Sequence, residues 1–226
     1  MQGKLSVVAT PIGNLEDITL RALRVLKEAA VVACEDTRTS KKLLAHFEIH
    51  TPTTSFHTHS GEKGFAKILA LLQEGKQVAL ISDAGTPGIS DPGLELVSVI
   101  REQLPAVKIE TIPGPSALAA ALAIAGLRAP TFTFYGFLPL KKGRETLFKE
   151  IAASERASVF YESPHRIMKT LESLTALPAE RRIGVFRELT KLYEESVVGS
   201  ATEVLAHFKT HPETERGEFV VIVEAA

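Results

Sequence analysis

The sequence predicts an α/β protein of two domains, and three observations carry that prediction. Short β-branched runs alternate with helical patterns through the first half. After residues 113–116 the texture changes, with more strands and fewer helices between them. A chain of 226 residues, 45% of them hydrophobic, is also long enough to bury more than one core.

In order, "LSVVA" (5–9), "VVAC" (31–34), "QVALIS" (77–82) and "VKIETI" (107–112) read as strands. Between them, "TLRALRVLKEAA" (19–30) places Leu20, Leu23, Val25 and Leu26 at helical spacing behind a Thr19 cap, and "KGFAKILALLQEG" (63–75) stops on Gly75. Such βα repetition predicts a mainly parallel sheet flanked by helices. Further strands follow at 131–137, 157–163, 182–189, 194–199 and 218–224. Helices fit at 143–153, 164–175 and 200–208, the last opening with the capping box Ser200-x-x-Glu203. The second half is therefore expected to be a mixed sheet with helices. A boundary near 113–130 divides the chain into domains 1–115 and 116–226.

Composition narrows the function classes. The formal charge of -1 and the pI of about 6.7 give no global basic signature, so a nucleic-acid partner needs a local patch. The one cysteine, Cys34, excludes an internal disulfide and fits a reducing compartment. The N-terminal apolar stretch is too short for a signal peptide, and no run of 18 apolar residues offers a membrane span. A cytoplasmic protein that engages no membrane is expected.

Three Gly/Pro-rich loops each follow a strand and lead into a helix: "ATPIGN" (9–14), "DAGTPGISDPG" (83–93) and "PGPSA" (113–117). In an open parallel sheet, ligands bind beyond the carboxyl ends of the strands, where small residues let them approach bare backbone. No G-x-G-x-x-G or G-x-x-x-x-G-K-[ST] spacing occurs, and Pro87 and Pro92 remove two backbone donors, so a phosphate cradle is a poor fit. An uncharged or cationic ligand held by carbonyls and a carboxylate fits better. Asp83 is the functional candidate, whereas Asp91 before Pro92 reads as a helix cap.

The polar clusters suggest chemistry. "CEDTRTSKK" (34–42) sets Glu35, Asp36 and Arg38 against a strand end. His57 and His59 form an H-x-H pair that no further His or Cys cluster completes, and no metal is expected. In "YESPHRIMKTL" (161–171), Ser163 reads as an N-cap with Pro164 at the first helical position. His165 and Arg166 then oppose the helix dipole by about 0.3–1 kcal/mol, which points to an anion or substrate as their partner. "FRELTKLYEE" (186–195) adds Arg187, Glu188 and Lys191. Together Arg38, Arg166, Arg187 and Lys191 form a candidate basic strip for a phosphodiester backbone.

"VVATPIGNLEDITLRAL", "CEDTR", "SDAGTPGISDPG", "PGPSA", "FYGFLP", "FYESPHR", "RELTK" and "RGEFVVIVE" occur together in this order, spanning about residues 5–224. This ordered set resembles the ribosomal RNA small subunit methyltransferase I family, the cytidine 2'-O-methyltransferases of the tetrapyrrole methylase superfamily. The resemblance implies two α/β domains, tetrapyrrole methylase-like, with S-adenosyl-L-methionine as methyl donor in the cleft between them. It also implies a homodimer acting on the decoding region of 16S rRNA or on the assembled small ribosomal subunit. Typical members run further at the C-terminus than "VIVEAA", which is the departure from the family pattern. Matched positions implied to contact the cofactor are Asp83, Ala84, Gly85, Thr86, Ser116, Ala117, Tyr161, Leu189 and Glu218.

A 2'-hydroxyl is a poor nucleophile, so positioning and a base or lysine are needed, the latter typically contributing about 10²–10⁴-fold. Glu188, Lys191 and Glu162 are the catalytic candidates. Glu35, Asp36, Arg38, His165, Arg166 and Arg187 are the candidates for holding RNA. Two other readings are a methylase of tetrapyrrole precursors on the same scaffold and a non-catalytic S-adenosylmethionine-binding, ribosome-associated protein.

Overall fold

The computed structural model describes residues 3–56 and 62–226; the His57/His59 pair lies outside them. The chain divides into two compact units, Met1–Ser116 and Ala117–Ala226.

In the first unit five strands lie parallel: β1 (Lys4–Val8), β2 (Val31–Cys34), β3 (Thr53–Ser55), β4 (Gln77–Leu80) and β5 (Lys108–Ile112), in the order β3-β2-β4-β1-β5. All four residues of β2 are buried because both faces of the sheet are covered. Val32 and Cys34 pack with Ala22, Val25 and Leu26 of α1 (Leu20–Glu28) and Leu44 of α2 (Thr37–His46). Val31 and Ala33 pack on the other face with Ile68 and Leu72 of α3 (Glu62–Gln73) and Leu96 and Ile100 of α4 (Gly93–Gln103). The expected caps are present. Thr19 Oγ1 accepts from the Ala22 N–H at 3.0 Å, and Gly75 ends α3 in the left-handed region at φ 81°. Strand β3 was not foreseen, since three residues of "TTS" carry too little pattern to be read.

Strand order fixes where this unit can bind. From β1 the chain passes through α1 to β2, and from the adjacent β4 it passes through α4 to β5, so neighbouring strands send their helices to opposite faces. The chain leaves β1 and β4 towards opposite faces at that point, the switch position at whose carboxyl edge open parallel sheets bind ligands.

The second unit is a mixed sheet of β6 (Phe132–Phe137), β7 (Ala157–Glu162), β8 (Arg182–Arg187), β9 (Glu195–Ser200) and β10 (Phe219–Val223), ordered β6-β7-β10-β8-β9. Strands β6 and β7 are parallel, and the other pairs are antiparallel. Phe160, Val221 and Val185 stand opposite one another across three strands and face α6 (Arg144–Ala153), α7 (Ile167–Leu174) and α8 (Ala201–Thr210). Helix α5 (Ala117–Ile124) packs against β10. The Ser200–Glu203 capping box starts α8 as expected.

Helix α7 departs from expectation. It begins at Ile167 rather than at 164, because Pro164–Arg166 form a turn in which the Ser163 carbonyl accepts from both Arg166 N–H and Ile167 N–H. Ser163 is therefore not its N-cap, and His165 and Arg166 do not sit in its first turn. The dipole argument for an anion at these two residues falls with that shift.

Candidate functional site

At the carboxyl edge of the first sheet the loops are stitched together by backbone. Thr10 N–H donates to the Gly85 carbonyl at 2.9 Å, and Gly85 N–H donates back to the Thr10 carbonyl at 3.1 Å. The Ser82 hydroxyl donates to the Ala84 and Gly85 carbonyls, both at 3.2 Å. Thr86 Oγ1 reaches the Pro115 carbonyl at 3.0 Å, tying in the loop after β5. The Asp83 carboxylate accepts from Asp36 N–H at 3.3 Å, which ties in the loop after β2.

Gly85 sits at φ 77° and is buried. A Cβ there would stand 3.2 Å from Ile12 Cγ2 and 3.6 Å from the Pro115 carbonyl oxygen, so glycine satisfies both the backbone conformation and the close approach. Asp83 and Ala84 are exposed beside it. An exposed carboxylate beside bare backbone suits a ligand with amino or hydroxyl groups. Asp91 is structural but not the helix cap its pattern suggested: Pro92 occupies the N-cap position of α4, and the Asp91 carboxylate accepts from Gly88 N–H at 2.8 Å and Gly93 N–H at 2.7 Å, closing the loop ahead of the helix.

Asp36 caps α2 through Arg38 N–H at 2.8 Å and holds the Arg38 guanidinium at 3.0–3.2 Å. The Arg38 side-chain bond is the largest cause holding the Asp36 carboxyl below its ordinary value. Arg38 and Glu35 remain on the exposed surface.

In the second unit, "RELTK" forms a compact charged corner. Glu188 and Thr190 both adopt positive φ, 49° and 67°, costing on the order of 1–3 kcal/mol each. Glu188 N–H donates to the Glu218 carbonyl, and Glu218 N–H donates to Glu188 Oε1, both at 2.9 Å. Lys191 Nζ lies 2.8 Å from Glu188 Oε1 and 2.9 Å from Glu218 Oε2. Burial pushes the Glu188 carboxyl up, but the Lys191 ammonium and the Glu218 N–H outweigh it and hold the pKa below its ordinary value. Burial likewise works against the Lys191 charge, and the two carboxylates overcome it and raise the pKa. Glu188 thus contributes stability above its unfolded pKa, lost as pH falls through the lowered value. Lys191 contributes below its unfolded pKa, lost as pH rises through the raised one. Both stay charged across the neutral range. Leu189 is buried between them in sequence, and Tyr161 is half-buried with Phe134 and Phe137 edge-on at 5.0 and 5.5 Å. Burial raises the Tyr161 pKa against a hydrogen bond with the Leu118 backbone, so the phenol is neutral.

The expected basic strip does not form. Glu162 is 1% exposed, and its carboxylate accepts from Arg166 Nε at 2.7 Å, Ser163 N–H at 2.9 Å, Thr170 Oγ1 at 2.6 Å and an Arg144 guanidinium nitrogen at 3.2 Å. Arg166 also donates to the Leu138 carbonyl at 2.8 Å. Arg187 is 8% exposed and donates to the Arg216 and Tyr193 carbonyls at 2.6 and 3.1 Å. Lys191 is enclosed by two carboxylates. Of the four cations, Arg38 alone stays largely in solvent, with its side chain 88% exposed. Glu162 is correspondingly not placed to exchange protons with a substrate, because all its acceptor capacity is spent on buried donors. Sequence reasoning missed Arg144, which fastens this network. Its position just inside a helix, behind Gly143 at φ 84°, reads in sequence as an ordinary solvated cation.

The family model for tetrapyrrole (corrin/porphyrin) methylases matches residues 4–205. Among solved structures, the methyltransferase CobJ aligns at a TM-score of 0.71 and 21% identity, over 100% of this chain and 95% of that one. Uroporphyrin-III C-methyl transferase from Thermus thermophilus, complexed with S-adenyl homocysteine, aligns at 0.66 and 21% identity, over 98% and 97%. These define the fold: two α/β units of the tetrapyrrole methylase class. Among curated relatives, ribosomal RNA small subunit methyltransferase I of Thermotoga maritima is 44% identical over 92% of both chains. That of Halalkalibacterium halodurans is 46% identical over 99% of this chain and 76% of its own, and that of Escherichia coli O157:H7 is 45% identical over 99% and 78%. The chain belongs to the ribosomal RNA small subunit methyltransferase I family of the tetrapyrrole methylases, and it is an S-adenosyl-L-methionine-dependent methyltransferase.

Glu162→Ala is expected to lower stability in urea denaturation by about 3–5 kcal/mol, because it leaves the buried Arg144 guanidinium and the half-buried Arg166 one uncompensated. Glu162→Gln should lose less. A Glu162→Ala protein of wild-type stability that fails only in methyl transfer would restore the catalytic reading of this residue.

Proposed function

We propose that this chain transfers a methyl group to the 2'-hydroxyl of a cytidine in the decoding region of 16S rRNA, presented as free RNA or in the small ribosomal subunit. The observation that carries the reading is the stitched set of loops at the carboxyl edge of the first sheet, centred on Gly85. Near-full-length identity with relatives of that name supports it. The absence of a membrane-crossing helix among the described residues is compatible with a cytoplasmic protein, and the resemblance adds a homodimer.

S-adenosyl-L-methionine, when bound, supplies an electrophilic methyl carbon on a sulfonium. Asp83, Ala84, Gly85 and Thr86 are the residues of the first unit proposed to hold it, with Ser116 and Ala117 after them. Tyr161, Leu189 and Glu218 are carried as further contacts by the family resemblance alone. Asp83 accepts from the ligand's hydroxyl or amino hydrogens, and the bare backbone at Gly85 admits its close approach.

The ribose oxygen would donate a lone pair to the methyl carbon as the carbon–sulfur bond breaks, its electron pair leaving with sulfur as a neutral thioether, and the oxygen loses its proton. As that oxygen gains its new bond to carbon, its proton becomes strongly acidic, so a carboxylate with a lowered pKa is still basic enough to accept it. Glu188 meets that requirement. Lys191, held as an ammonium 2.8 Å from Glu188 Oε1, fixes the orientation of the carboxylate that takes this proton. Asp36, Glu35, Arg38 and the exposed His165 are the remaining candidates for steering RNA.

The tetrapyrrole-precursor reading draws on the fold of neighbours that are only about a fifth identical. Methyl transfer from labelled cofactor to purified small subunits lacking the modification tests the proposal. Label on the 16S rRNA ribose is expected, and cofactor binding without transfer would favour the non-catalytic reading.

Gly85→Val should abolish cofactor binding by calorimetry while the folding transition persists, since a side chain at φ 77° closes the approach. Unchanged affinity would reduce the loop to a connection. Glu188→Gln and Lys191→Ala should each slow single-turnover transfer by about 10²-fold. Wild-type rates in both would remove the catalytic assignment.

A further inference from the structure

Strand β6 contains an irregularity that leaves an aromatic side chain exposed at its end. Phe132 and Phe134 stand opposite Ala157 and Val159 of β7, but Phe137, rather than residue 136, stands opposite Tyr161. The extra residue is accommodated at Gly136, which adopts φ 62°. Without this bulge the alternation of the strand would send Phe137 to the opposite face. With it, Phe137 lies edge-on to Tyr161 at 5.5 Å and remains 57% exposed. A bulky aromatic in solvent on an edge strand is a liability unless something stacks on it.

The loop that follows is held rigidly at its base and open at its tip. The Leu138 carbonyl accepts from Arg166 at 2.8 Å and the Pro139 carbonyl from Arg144 at 3.2 Å, and both arginines are fixed by buried Glu162. Beyond these clamps Leu140 is 76% exposed, and Lys141 and Lys142 are exposed. Neither ammonium has an ion-pair partner among the described residues. From Thr131 to Gly143 the only charged residues are these two lysines, a local charge of +2 on a chain of net charge -1. Rigid backbone, an exposed ring and adjacent unpaired cations are the components that hold an unpaired nucleotide: stacking for the base and charge for the phosphates.

We infer that the segment Phe137–Lys142 is an RNA-holding element, with Phe137 stacking an unpaired base and Lys141 and Lys142 on the flanking phosphates. The inference rests on the rRNA-methyltransferase reading for the identity of the RNA. It also gives the buried Glu162 network a functional consequence, because Glu162, Arg144 and Arg166 position the loop without touching the substrate.

The test titrates wild-type protein, Phe137→Ala and Lys141→Ala/Lys142→Ala with a 16S rRNA fragment at several salt concentrations, and measures methyl transfer to unmodified small subunits in parallel. Phe137→Ala should weaken RNA binding about tenfold with little change in salt dependence, and Phe137→Tyr should restore it. The double lysine variant should reduce the salt slope by about 1.4, as expected for two single-stranded phosphate contacts. Cofactor affinity and the thermal transition should match wild type in all of them. Wild-type RNA affinity and salt slope in both variants would overturn the inference, as would loss of self-association in place of RNA binding. Transfer by the wild type with indifferent variants leaves the functional reading standing and removes the loop's role. Loop-dependent RNA binding without any transfer supports the loop and removes the reading.

Discussion

The reciprocal backbone bridge between Thr10 and Gly85 is the constraint on which the candidate cofactor site depends. It joins the loops after β1 and β4 at the switch point of the parallel sheet. Both N–H groups and both carbonyls are committed by it, so the turn at Gly85 presents a fixed surface rather than a flexible connection. The Thr86 hydroxyl extends the same lattice to the loop after β5, Asp83 extends it to the loop after β2, and the Ser82 hydroxyl braces the Gly85 carbonyl from within its own loop. Glycine is needed at 85 because a left-handed backbone and a near neighbour coincide there, each sufficient to disfavour a side chain.

The second unit solves a different problem with buried charge. One carboxylate, Glu162, pairs with two guanidinium groups, which in turn hold the carbonyls of Leu138 and Pro139. Such a triad contributes little net stability compared with apolar packing, yet it fixes orientation, since breaking any one pair leaves a charge stranded. The Glu188–Lys191–Glu218 corner is the less buried counterpart. There the charges stay reachable from solvent, and two positive-φ residues are retained in three, which is where strain is expected if the corner has a function.

Much of this was legible in sequence. The alternation of "VVAC" and "QVALIS" with amphipathic helices is a periodicity signal, and it reads correctly because both faces of the parallel sheet must be apolar. The three Gly/Pro loops were also legible as a convergent set, because each follows a strand in the same βα repeat. What sequence did not show was the fate of the cations. Arg166 and Arg187 look like surface charges in a linear motif, and only the pairing of β8 with β9 and β10 and the turn at Pro164 turn them inward. Strand β3 was too short to register. The bulge at Gly136 escaped notice because a glycine in a strand does not announce on which face the next side chain emerges.

Amide hydrogen exchange at Thr10 and Gly85 tests the central constraint most directly. The account predicts protection of both amides comparable to that of strands β1 and β4 in the free protein, deepening when S-adenosyl-L-methionine is added, while the neighbouring amide of Ala84 exchanges faster. Exchange of Gly85 as rapid as that of an exposed loop, unaffected by the cofactor, would contradict it.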